Sequence, residues 1–223
     1  MGALHVFDMD GTLLRGTTAA IEISRRVGRL EALAELERGF ATAEITAADF
    51  ALATRALWEG LTAELVAEVV AAAPWIDGIE EVCADIAERG EHSMLITMSP
   101  NFFAEHLGDR GVDVVRASQW PPLPVVAPID PAGILNPADK VRLAEAERTA
   151  HGLARSACVA YGDSWSDLPL FAVLENTVAV NADAALERTA RVVYRGEDLR
   201  EAYAHGRALL DAASAGDEPE AGR

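Results

Sequence analysis

Asp8 and Asp10 stand one residue apart in the stretch His5-Val6-Phe7-Asp8-Met9-Asp10-Gly11-Thr12. Two carboxylates this close repel each other unless a cation or a shared proton relieves them. Gly11 lets the backbone turn sharply and approach a ligand. The same residues also read as a strand followed by an ordinary Asp-Gly turn. A second acidic pair lies far downstream in Gly162-Asp163-Ser164-Trp165-Ser166-Asp167, again directly after an apolar run, Val159-Ala160-Tyr161. Between them come Met94-Leu95-Ile96-Thr97-Met98-Ser99, which ends in hydroxyls, and Lys140, which opens a helical stretch.

Each of these groups needs an element to carry it. Short apolar runs bounded by turn residues predict buried strands, here over residues 4–7, 93–98, 112–115, 157–161, 177–180 and 192–194. Helical spacing predicts helices over 79–89, 101–107, 139–151, 168–174, 183–189 and 199–213. Strands alternating with helices imply an α/β fold with a doubly wound parallel sheet. In such a sheet, ligands bind beyond the carboxyl ends of the strands, which is where both acidic pairs fall. Residues 17–73 read as helices only, with Gly28 as a stop and Thr46 with Asp49 as a capping pair. Pro74 to Gly78 breaks that run. Residues 118–137 hold Pro121, Pro122, Pro124, Pro128, Pro131 and Pro137, so a regular helix cannot pass; an extended hairpin or a loop overhanging the site is expected. Residues 214–223 lack periodicity and read as a disordered tail.

Asp8-Met9-Asp10-Gly11-Thr12, then Thr97, then Lys140, then Gly162 to Asp167 follow the motif order of the haloacid dehalogenase (HAD) superfamily of phosphohydrolases. The chain resembles that superfamily over about residues 4–195. Ser99-Pro100-Asn101-Phe102 and the helical insert look most like the phosphoserine-phosphatase-like branch, subfamily IB. The resemblance implies a Rossmann-like core over 1–15 and 75–213 and a small all-helical cap inserted after the first strand, over 16–74. Periodicity alone shows helices there, which could equally form a plain layer on the sheet.

The resemblance also implies roles. Asp8 would be the nucleophile, forming an aspartyl-phosphate. Asp10 would protonate the leaving alcohol and then deprotonate water. Lys140 would neutralise charge on Asp8 and the phosphoryl oxygens. Thr97 would donate its hydroxyl to a phosphoryl oxygen, with Gly11, Thr12, Met98 and Ser99 around the substrate. A metal would be held by Asp8, the Asp10 backbone carbonyl and Asp163, with Asp167 holding a metal-bound water. Oxygen-only ligands, no suitable His cluster and a phosphate substrate point to Mg²⁺. Ser99 competes with Thr97, Lys140 could be a solvated helix lysine, and Asp167 could cap the helix after it.

The implied activity is Mg²⁺-dependent hydrolysis of a small phosphorylated metabolite. A phosphoserine phosphatase or a phosphotransferase of the same family, passing the group to an acceptor other than water, and a non-catalytic metabolite-binding protein on the same fold are the competing readings. Dehalogenation is disfavoured because Asp10 is present. Phosphoserine phosphatases of this branch carry a Glu shortly after the first motif and an Arg in the cap. The Glu position falls at Thr17. Arg55 could match the Arg and reads equally well as a solvated helix arginine. Thr17 is neutral and cannot pair with an ammonium, which would penalise phosphoserine against substrates lacking the amine; another small phosphomonoester, such as a sugar or hydroxylated-metabolite phosphate, is therefore expected.

Composition narrows the partners. Asp plus Glu number 36 against 19 Lys plus Arg, a formal charge of −17. That balance argues against nucleic acid and anionic membrane surfaces. Cys83 and Cys158 lie in separate apolar segments, as buried thiols of a reducing compartment would. With no long apolar span and no basic leader, the expected location is cytoplasmic.

Overall fold

The computed structural model describes residues 2–41 and 44–216. Strand β1 (Leu4–Phe7) starts the chain, followed by the two-residue strands β2 (Asp10–Gly11) and β3 (Leu14–Arg15). Four helices come next: α1 (Ala19–Arg26), α2 (Leu30–Ala41), α3 (Ala47–Leu57) and α4 (Ala63–Ala72). The remainder alternates: α5 (Ile79–Glu88), β4 (His92–Pro100), α6 (Asn101–Ala104), β5 (Val114–Ser118), α7 (Pro137–Ala150), β6 (Cys158–Gly162), α8 (Leu168–Phe171), β7 (Asn176–Val180), α9 (Ala184–Glu187), β8 (Val192–Tyr194) and α10 (Leu199–Gly216).

The main sheet has six parallel strands in the order β5-β4-β1-β6-β7-β8. The chain runs outward from β1 through β4 to β5, then crosses to β6 on the other side. The strand order therefore reverses beside β1, and a crevice opens at the carboxyl ends of β1 and β6. Strands β1, β6 and β7 are buried along their whole length, as a parallel sheet covered on both faces requires. Alternate side chains serve the two faces. Phe7, Leu95 and Tyr161 pack with Ile79, Ile86 and Leu210 on one side. Leu4, Val6 and Met94 pack with Ala144, Leu170 and Leu186 on the other.

The four helices α1–α4 enter and leave the sheet side by side. Leu14 bridges Trp75, the Arg15 N–H donates to the Pro74 carbonyl at 2.9 Å, and the Ile76 N–H donates to the Leu13 carbonyl at 2.8 Å. Thr46 and Asp49 close the capping box expected at the start of α3. Gly28, at φ +70°, ends α1.

Several elements differ from expectation. The helix expected over 101–107 is one turn, α6, continued as a 3-10 helix Glu105–Arg110. Strand β5 starts at Val114 rather than Val112. Asp113 spends its carboxylate on the Ser93 N–H and hydroxyl, at 2.8 and 3.0 Å, so ladder pairing begins one residue later. Of the residues 118–137, Ser118 ends β5 and Pro137 starts α7, and 119–136 form a loop with a single 3-10 turn, Pro131–Gly133, and no hairpin. Its ends are tied by the Gln119 N–H to the Gly133 carbonyl and the Leu135 N–H to the Ser118 hydroxyl. The expected 168–174 helix stops at Phe171 and is preceded by a 3-10 turn, Trp165–Asp167. Helix α10 runs to Gly216, past the expected end at Ala213, because Leu210 is buried and the Ser214 hydroxyl bonds the Leu210 carbonyl. The rest of the expected tail, 217–223, lies outside the described residues.

Candidate active site

Asp8 follows the last residue of β1, and its N–H donates to the Tyr161 carbonyl of β6 at 3.0 Å. Its carboxylate is thus fixed at the reversal point of the sheet. Asp8 Oδ1 accepts from Lys140 Nζ at 2.6 Å and Oδ2 accepts from the Thr12 hydroxyl at 3.2 Å. Lys140 sits in the first turn of α7, whose start is set by Pro137 and an Asn136–Asp139 capping box. Its side chain is 2 % exposed, which excludes a solvated lysine. The ammonium also donates to Asp167 Oδ1 at 2.6 Å and to the Ser166 hydroxyl at 3.2 Å. Its three protons are then all engaged.

Asp167 does not cap the helix after it: its side chain makes no bond to the start of α8, and Oδ2 instead accepts from the Asp163 and Ser164 N–H groups at 3.1 and 3.3 Å. Its other oxygen holds Lys140. Asp10 accepts the Ala19 N–H at 2.7 Å on Oδ1 and the Thr97 hydroxyl at 3.0 Å on Oδ2. Gly11 has φ +83°, and a Cβ there would lie 2.0 Å from Asp163 Oδ2. No other residue fits between the two acidic loops.

Charge is unbalanced in this cluster. Four carboxylates, Asp8, Asp10, Asp163 and Asp167, face one ammonium. Burial raises the Asp8 carboxyl well above its ordinary range; Lys140 opposes this, and Asp167, Asp163 and Asp10 add to it. Burial, then Asp167, pushes Asp163 up to about 7. Asp10 is also raised by burial, against the Ala19 N–H and the Ser99 and Thr97 hydroxyls. Burial pulls the other way on Lys140, but Asp167 and Asp8 outweigh it and hold the ammonium charged.

Asp8, Asp163 and Asp167 each offer an oxygen within 4.8 Å of the others. Asp163 Oδ1 is buried with no hydrogen-bond partner. An orphaned carboxylate oxygen among clustered acids, with too little positive charge nearby, fits a hard divalent cation with oxygen ligands.

A cavity of about 400 Å³ opens over these groups, between the sheet edge and α1–α3. Asp8, Asp10, Gly11, Lys140 and Asp163 lie on its floor, with Met98 and Ser99 beside them. The register of β4 against β5 shifts between Thr97 and Pro100, where Met98 and Ser99 turn into the cavity. Thr97 itself is fully buried and lies outside the lining; its hydroxyl donates to Asp10 and accepts the Ser99 N–H at 3.1 Å. The donor expected for the phosphoryl oxygen is thus committed to Asp10, and Ser99 is the hydroxyl that faces the space. Thr12 is buried against Asp8 rather than in the lining. Arg55 is also outside the lining and donates to the Val126 carbonyl of the Pro-rich loop at 3.1 Å. Thr17 lines the cavity with its hydroxyl turned to Glu22 at 2.6 Å.

Sequence reasoning missed most of the upper wall. Phe40, Phe50, Trp58, Trp120 and Trp165 line it, with Glu37 and Thr54. Phe40 of α2 meets Phe50 at 5.2 Å and Trp165 of the Asp163–Asp167 loop at 5.4 Å between ring centroids. Trp58 meets Trp120 of the Pro-rich loop at 5.2 Å. Helical spacing marks Phe50 and Trp58 as an apolar face but cannot say that the face looks onto a cavity.

A family model described as haloacid dehalogenase-like hydrolase matches residues 5–172. Among curated proteins, the chain is similar to the Mycobacterium tuberculosis protein named phosphoserine phosphatase SerB1, 28% identical over 176 residues. That alignment covers 78% of this chain and 52% of the relative, so the chain spans about half the length of the curated relatives it matches. Among solved structures, it is similar to a substrate-bound phosphoserine phosphatase complex, with TM-score 0.77, 20% identity, and 92% and 98% of the two chains covered. A probable phosphoserine phosphatase from Vibrio cholerae aligns with TM-score 0.78 at 16% identity, covering 97% of this chain and 67% of the other. These two likenesses show the fold.

Proposed function

The chain belongs to the haloacid dehalogenase-like hydrolases, and from that premise we propose that it hydrolyses a small phosphomonoester through an aspartyl-phosphate on Asp8. The observation that carries this is the Asp8–Lys140–Asp167 chain at the sheet reversal, with Asp10 beside it. Asp8 Oδ2 bears only the Thr12 hydroxyl and is the oxygen available to attack phosphorus. As the P–O bond to the alcohol breaks, the leaving oxygen takes a proton from Asp10. Burial favours the protonated form of Asp10 needed at that moment. Asp10 then removes a proton from water, which attacks phosphorus and releases Asp8 and phosphate.

Lys140 neutralises Asp8 in the resting site and stays close as charge builds on the phosphoryl oxygens. Ser99, with its N–H tied to Thr97, is the side-chain donor for a phosphoryl oxygen. Asp8, Asp163 and the Asp10 backbone carbonyl would hold Mg²⁺, with Asp167 supporting them. When bound, the ion would supply positive charge to the phosphoryl oxygens and to Asp8. The aromatic-walled cavity of about 400 Å³ is of a size for a small-metabolite substrate. Among the described residues, no helix is long and apolar enough to cross a membrane.

The test is hydrolysis of an aryl phosphate with and without Mg²⁺. Turnover is expected with the ion, lost in EDTA, and lost in Asp8→Asn, which is nearly isosteric but a poor nucleophile. Substantial turnover in Asp8→Asn would place the nucleophile elsewhere.

A further inference from the structure

Glu37 is the one acidic side chain that α2 contributes to the cavity wall. It is partly buried, and the Thr18 hydroxyl is its hydrogen-bond partner. No basic side chain pairs with it among the described residues. Among the described residues that line the cavity, Lys140 is the only Lys or Arg, and its protons are engaged by Asp8, Asp167 and Ser166. Burial and the charge of Asp10 raise the Glu37 carboxyl. A carboxylate taken out of water without a counterion is unfavourable.

The surroundings of Glu37 are as informative as its charge. Phe40 lies three residues on along α2, so the two side chains share a face. Phe40 in turn packs on Phe50 and Trp165, giving Glu37 an aromatic border. Thr54 lines the same cavity, is fully buried, and its Oγ1 has no hydrogen-bond partner. An unspent hydroxyl at that depth is an acceptor waiting for an N–H or O–H donor. Aromatic faces and a carboxylate both attract cations. Nothing among the lining residues offers a free positive charge to a substrate carboxylate.

We propose that the substrate is an amino-alcohol phosphate, whose ammonium pairs with Glu37 beside Phe40 and whose alcohol carries no carboxylate. This deepens the phosphomonoesterase reading and rests on it. The ammonium group supplies the counterion that Glu37 lacks, and the Phe40, Phe50 and Trp165 rings border it. Thr17, the position where a neutral residue argued against an ammonium, leaves that role to a carboxylate on the next helix.

The experiment compares kcat/KM for ethanolamine phosphate, for n-propyl phosphate (a methyl in place of the ammonium) and for phosphoserine, with Mg²⁺, in the wild type and in Glu37→Gln. In the wild type, ethanolamine phosphate is expected to exceed n-propyl phosphate by about tenfold or more, the scale of a charge-assisted hydrogen bond. It should also exceed phosphoserine. In Glu37→Gln the ethanolamine-to-propyl ratio should fall to near one; because it is a ratio, a general change in activity cancels. Phe40→Leu keeps the apolar volume without the ring and should lower the ratio as well, so a variant that fails to fold does not remove the test. A wild-type ratio near one, a ratio unchanged in Glu37→Gln, or phosphoserine as the best of the three overturns the inference. If an aryl phosphate is hydrolysed while the ratio is near one, only this inference fails. If no ester is hydrolysed, the phosphatase reading fails and takes the inference with it.

Discussion

In the metal-free protein, Asp163→Asn should be more stable than the wild type at pH 8. Asp163 has one oxygen buried without a partner and lies beside Asp167, Asp8 and Asp10. Its carboxyl is pushed from 3.8 up to about 7 in the fold. A carboxyl raised on folding binds its proton more tightly in the native state. It therefore costs nothing below its unfolded value, and the cost grows as pH rises from about 4 to about 7. Three units correspond to about 4 kcal/mol once the group is fully ionised. An amide cannot ionise, but it replaces a carboxylate that accepts from Ser164, a loss of about 1 kcal/mol. The net gain for Asp163→Asn at pH 8 is then roughly 3 kcal/mol. Urea unfolding in EDTA at pH 5 and pH 8 measures it. The variant should gain at pH 8 and little at pH 5, and added Mg²⁺ should restore the wild type's advantage, since the ion binds the native carboxylate. A variant less stable than wild type at pH 8 in EDTA would refute the charge argument for the whole cluster.

Other outcomes follow from the same geometry. Lys140→Met should destabilise the protein by about 3–5 kcal/mol, because it leaves Asp8 and Asp167 buried without their cation; thermal unfolding measures this, and an unchanged Tm would contradict it. Ser99→Ala should raise KM for the phosphoester and also shift the Asp10 limb of the pH–rate profile to higher pH, because its hydroxyl helps hold that carboxyl down. Thr97→Ala should shift the limb the same way with little change in KM; an equal rise in KM for the two variants would oppose the assignment. His5 is fully buried with its pKa lowered from 6.5, chiefly by burial. The unfolded chain then takes up the proton first, so stability should decline as pH falls below about 6.5, and His5→Gln should flatten that decline.

The floor of the cavity was legible from sequence because each of its residues sits at the end of a strand or the start of a helix. Apolar runs ending in Asp-x-Asp and Gly-Asp mark strand ends, and the parallel topology gathers strand ends at one edge. Lys140 was legible for the same reason, one turn into a capped helix. Thr97 and Ser99 were separable only with coordinates. They are two residues apart, and the register shift at the end of β4, which turns Ser99 into the cavity and leaves Thr97 behind it, leaves no mark in composition. Glu37 was invisible because the rings packed on its neighbour Phe40, those of Phe50 and Trp165, lie 13 and 128 positions beyond Glu37 along the chain. Arg55 shows the converse: a charged residue in the expected helix, aimed at a backbone carbonyl of the Pro-rich loop instead of the cavity.

The side-by-side entry and exit of α1–α4 sets how this chain can change over evolutionary time. Leu13, Leu14 and Arg15 are stitched to Pro74, Trp75 and Ile76 whatever lies between them. The sheet therefore feels the same anchor for a long intervening segment or a short one, and doubling such a segment costs only about 0.6 kcal/mol in closure entropy. Among the described residues, the side chains bonded to Asp8 and Lys140 come from Thr12, Ser166 and Asp167, outside the helices carrying Glu37, Phe40, Phe50 and Thr54. On the function proposed above, selectivity and bond-breaking then fall on different pieces of one chain, in contact where Phe40 meets Trp165.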